Sequence, residues 1–106
     1  MAKFLIKASL TADGVKGLLK EGGSSRKKAV EKMIADLGGK LESFYFSFGC
    51  YDVYAIGEFP DEASAVASAL TINATGLVSV ETTVLIEPAV IDKAVKKTVN
   101  YRGPGK

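Results

Sequence analysis

The stretch Leu41 to Pro60, LESFYFSFGCYDVYAIGEFP, is the part of the chain with the least conformational choice. Two runs in which aromatic and β-branched residues alternate with small or polar ones flank Gly49-Cys50, a period-two pattern that suits strands and not helices. Gly49 at the first central position fits a two-residue type II′ hairpin turn, which sets Phe48 opposite Tyr51. Counting outward by twos, Phe44, Phe46, Phe48, Tyr51, Val53, Ala55 and Phe59 share one face. Ser43, Tyr45, Ser47, Asp52, Tyr54, Ile56 and Glu58 share the other. The first face is apolar and needs a cover; the second is mixed.

Lys3 to Leu10 alternate in the same way, with Phe4, Ile6 and Ala8 on one side and Lys3, Leu5, Lys7 and Ser9 on the other. Thr11 to Gly14 can cap a short helix carrying Val15, Leu18 and Leu19, which Gly22-Gly23 breaks. Ser24 or Ser25 then caps a longer helix with Ala29, Val30, Met33, Ile34 and Leu37 on one face, stopped by Gly38-Gly39. Arg26, Lys27 and Lys28 crowd its first turn, either as a solvated face or beside an anion held by free backbone N–H groups.

After Pro60, Asp61 caps a helix whose expected buried stripe is Ala63, Val66, Ala67 and Leu70. Leu77 to Ile86 alternate as a fourth strand, with Val78, Val80 and Val84 opposite Ser79, Glu81, Thr83 and Leu85. Pro88 opens a last helix at its first position, with Ile91, Ala94, Val95 and Val99 on a face expected to dock, and YRGPGK follows as an irregular tail.

Strand, helix, strand, strand, helix, strand is the order of an α+β, ferredoxin-like βαββαβ fold with a four-stranded antiparallel sheet. At 106 residues one domain is expected, with its core over 3–87 and an added C-terminal helix and tail over 88–106. Both main helices then lie on the Phe4, Phe44 and Val53 face, and the mixed face is left open. A half-apolar open sheet predicts a partner sheet, hence a homodimer or higher homo-oligomer.

Strands one and three lie side by side in that order, which gathers Lys7, Ser9, Tyr45, Asp52, Tyr54 and Glu81 on the open face. Such a cluster either binds a small polar ligand, with Asp52 or a tyrosine beside Lys7 acting on protons, or forms a hydrogen-bonded seam between two sheets. Asp52 has a third option, because an Asp beside a tight turn often bonds nearby backbone N–H groups.

Several function classes lose their usual residues. The chain has no histidine and one cysteine, Cys50, so the common ligands of zinc, copper and haem are missing and no metal or cofactor is expected. Fourteen basic against twelve acidic residues leave a net charge of +2, too little to recruit nucleic acid or an anionic membrane. No apolar run approaches the roughly 20 residues of a membrane span, and a cytoplasmic location is expected.

LGGKLESFYFSFGCYDVYAIGEFPDEASA, with GLVSVETTVLIEP after it, resembles the GYD family of small bacterial proteins. The signature falls on Gly49, Tyr51 and Asp52, with Cys50 between Gly and Tyr, and Glu58, Pro60, Asp61 and Glu81-Thr82 also match. The resemblance implies similarity to dimeric α/β barrel proteins of ferredoxin-like topology. It brings no settled activity. Relatives at that distance include small-molecule binders and cofactor-independent monooxygenases and isomerases, many of which hold their ligand between helices and sheet.

Overall fold

A computed structural model describes residues 1–106. Its elements are β1 (Ala2–Leu10), α1 (Ala12–Glu21), α2 (Gly23–Asp36), β2 (Lys40–Phe46), β3 (Val53–Phe59), α3 (Glu62–Ala74), β4 (Val78–Leu85) and α4 (Pro88–Ala94). The four strands form one antiparallel sheet in the order β2-β3-β1-β4. No helix is long and apolar enough to cross a membrane.

Side-chain alternation assigns the strand faces as expected. Phe4, Ala8, Val53, Ala55 and Phe59 are buried on one side of the sheet, against Ile34 of α2 and Ala65 of α3. The Phe4 and Phe59 rings meet edge to face, 5.8 Å apart. Strict alternation fails once in β2, where the register with β3 slips between Leu41 and Ser43. The bulge at Glu42 lets Leu41 and Phe44 both face the core, and frees Glu42 to pair with Lys3 at 3.2 Å.

The hairpin keeps its expected register, Phe46 opposite Val53, but has a different tip. The strands expected to reach Phe48 and Tyr51 stop at Phe46 and Val53. Phe48, not Gly49, takes the left-handed backbone conformation, at φ 58°. The cause is Asp52. Its N–H donates to the Ala8 carbonyl and its carboxylate accepts from the Leu10 N–H, each at 2.8 Å. Tied to β1, residue 52 leaves the regular ladder, and Tyr51 swings from the expected core face to the open face.

Two helices are rotated from the expected phase. In α3 the small residues Ala65 and Ser68 are buried, while Val66 and Leu70 are 55% and 66% exposed. In α1, Gly14 is buried and Leu19 points outward. A helix that turns glycine, alanine or serine toward the sheet approaches it closely; a Cβ added to Gly14 would stand 2.1 Å from the Leu77 carbonyl oxygen. The cap of α2 is Gly22 and neither serine, and Arg26 in its first turn lies 3.4 Å from Glu21. The last helix, expected to dock, does not: every residue from Ile86 to Arg102 is exposed.

Candidate functional site

The two faces of the sheet present two different environments. On the open face, the β-ladder aligns Tyr45, Tyr54, Lys7 and Glu81 in one row across β2, β3, β1 and β4. These are four of the six residues expected to cluster. Ser9 pairs with Ser79, two positions further along β1. Asp52 lies at the end of β3, with its carboxylate on the Leu10 N–H.

Tyr51, assigned by simple alternation to the other face, completes the row. Its hydroxyl donates to the Glu81 carboxylate, its ring meets Tyr54 edge to face at 5.9 Å, and Lys7 Nζ stands 5.0 Å from its centroid. The hydrogen bond to Glu81, then burial and the neighbouring negative charge, raise the phenol pKa above its ordinary value. Tyr51 is therefore held as a donor and is a poor base near neutral pH. The signal that could have placed it was the Asp next to it, whose partner lies forty-two residues away in sequence.

On the covered face, a cavity of about 170 Å³ lies between the sheet and the helices. Ile6, Ala8, Phe44, Val53, Ala55 and Val80 form its floor, and Val30, Met33, Ser68 and Ile72 its walls. Gly14, Gly17, Leu18 and Glu21 of α1 also line it, one stripe at helical spacing. Gly17 leaves part of this space open by having no side chain. A Cβ added to Gly17 would meet no atom within 4 Å.

Fourteen of the twenty lining residues are hydrophobic. Glu21 and Arg26, the ion pair between α1 and α2, are the charged members of the lining. Such a space admits an apolar body and gives one polar substituent a place beside the ion pair. None of Lys7, Ser9, Tyr45, Asp52, Tyr54 or Glu81 lines it.

A family model for the GYD domain matches residues 4–95. No curated protein and no solved structure matches the chain.

Proposed function

This chain belongs to the GYD domain family, and from that premise we propose that it is a homo-oligomeric module binding a small, mostly apolar molecule between its helices and its sheet. The cavity on the covered face carries the proposal. An engineered apolar cavity of about 150 Å³ takes up benzene, so 170 Å³ suits one aromatic ring or a short branched chain.

The strand order β2-β3-β1-β4 supports reading the domain as ferredoxin-like, with α1 and α4 added, and its open face as one half of a dimeric α/β barrel. In that assembly the row Tyr45, Tyr54, Lys7 and Glu81 is a seam between sheets. The Tyr51 hydroxyl and the Asp52 carboxylate already have partners within the chain, which favours the seam over a ligand site at Lys7, Ser9, Tyr45, Asp52, Tyr54 and Glu81. A cofactor-independent oxygenase or isomerase working through Asp52, Tyr45 or Tyr54 needs a cavity that reaches them, and this one opens on the opposite face. A cytoplasmic setting accords with the free, exposed Cys50.

Amide chemical shifts followed during titration with benzene and with indole test the binding. Changes centred on Gly17, Val30 and Ile72 are expected, and an unaffected spectrum at the solubility limit of both probes refutes the cavity as a binding site. Sedimentation equilibrium tests the assembly separately, since a monomer mass at micromolar concentration would remove the paired sheets.

A further inference from the structure

The C-terminal arm, Pro88 to Lys106, stands away from the body that precedes it, and its surface is apolar where it should not be. Val90, Ile91, Val95, Val99 and Tyr101 are each at least half exposed. The arm stretches the molecule to a radius of gyration of 17.2 Å, against about 13 Å for a compact chain of this length. The accessible surface is 7396 Å², against about 5,700 Å² for a folded monomer of this mass. The surplus, roughly 1,700 Å² per chain, is about twice the ~800 Å² that each partner gives to a standard protein–protein interface.

We propose that the arm docks on α3 of a second copy of this chain, antiparallel to it, in a reciprocal exchange; this rests on the homo-oligomeric reading above. The outer face of α3 carries exposed Val66 and Leu70, four residues apart. Ile91 and Val95 of the arm have the same spacing, and turn hydrogen bonds carry the helical path on to Lys97. Set antiparallel, Val66 meets Val95 and Leu70 meets Ile91. Lys96 and Lys97 then approach Asp61 and Glu62 at the start of α3, a helix that contains no Lys or Arg.

Charge agrees along the whole arm. Residues 88–106 hold Lys93, Lys96, Lys97, Arg102 and Lys106 against Asp92 alone, whereas residues 1–87 hold nine basic and eleven acidic residues. Attraction across a partner surface follows from that separation.

Chain direction selects a second copy over the arm's own body. α3 and β4 are joined by the short turn 75–77 and run in opposite directions, and only Ile86 and Glu87 separate β4 from α4. An arm folded back on its own chain would run opposite to β4 and therefore parallel to α3. Its lysines would then lie at the far end from Asp61 and Glu62, and Val66 would face Ile91 instead of Val95.

Disulfide trapping in the full chain separates these arrangements, with Cys50→Ser removing the native thiol. Val66→Cys on one chain mixed with Val95→Cys on another is expected to give a covalent dimer on non-reducing gels. Absence of that dimer overturns the inference. So does an intrachain bond in the double variant Val66→Cys/Ile91→Cys, which reports parallel docking on the same chain. Sedimentation of the unmodified protein distinguishes the two levels. A dimer without the trapped bond refutes only the arm exchange, whereas a monomer refutes the exchange together with the homo-oligomer.

Discussion

Asp52 ties the β2–β3 hairpin to β1 through two hydrogen bonds, its N–H to the Ala8 carbonyl and its carboxylate to the Leu10 N–H. Asp52→Ala leaves the Leu10 donor without a partner and is expected to cost about 1–3 kcal/mol of stability. Asp52→Asn keeps an acceptor and is expected to cost under about 1 kcal/mol, both measured by urea unfolding. Gly49 has an ordinary negative φ and room for a side chain, so Gly49→Ala is expected to be nearly neutral in the same measurement. Tyr51 contributes through its protonated form. Because its pKa is raised in the fold, the stability it adds is present below the ordinary tyrosine value of about 10 and is lost as pH rises through the raised one. The stability difference between the native chain and Tyr51→Phe is therefore expected to hold from neutral pH to about 10 and to shrink above it. An unchanged difference above that range would show that the phenol bond to Glu81 does not persist in solution. A bond from Asp52 to a backbone N–H was among the expected options, but its partner strand was not visible, because alternation around Gly49 contains no information about Leu10 or Ala8.

α1 shows how an element makes a site by omission. Its sheet-facing stripe of Gly14, Gly17, Leu18 and Glu21 leaves the cavity open, yet its two glycines have opposite requirements. Gly17 faces open space, so Gly17→Ala is expected to raise stability by roughly 0.8–1 kcal/mol through helix propensity alone. Gly17→Leu is expected to fill the cavity and abolish the benzene and indole shifts while the fold persists. Gly14 has Leu77 pressed against it, and Gly14→Ala must force α1 off the sheet at a cost of about 1–3 kcal/mol. Thermal melts of the three variants check the order. Loss of binding in Gly17→Leu without loss of structure would locate the ligand against α1. Hydrophobic periodicity did find α2, where Val30, Met33, Ile34 and Leu37 pack on the core. It placed Leu18 of α1 inward but misjudged the rest of α1 and α3 for one physical reason: it ranks valine and leucine as inward, whereas in these helices small residues make the close contact and Leu19, Val66 and Leu70 face out.

Apart from the Glu42 bulge and Tyr51, the strand faces were legible from side-chain period, because a β-residue's side is set by its parity and needs no long-range information. How those faces are used depends on what covers them, which a single chain does not contain. Exposed Tyr45 on the open face, Val66 and Leu70 on α3, and Ile91 and Val95 on the arm are all surfaces of that kind. Only 11 of 106 residues are buried, so a lone chain has little apolar burial to set against the entropy of ordering it. If the native state is a dimer, folding and association are one equilibrium, and mass action links stability to concentration. Each tenfold rise in concentration then adds about 1.4 kcal/mol per dimer. With the unfolding entropy of some two hundred residues, the melting midpoint is expected to rise by about 3 °C per decade. Ile91→Glu places a charge in the arm contact and is expected to lower the midpoint by a similar amount at every concentration. A midpoint independent of concentration over two decades would mean that a single copy accounts for all of its stability, and that these exposed residues contribute none of it by association.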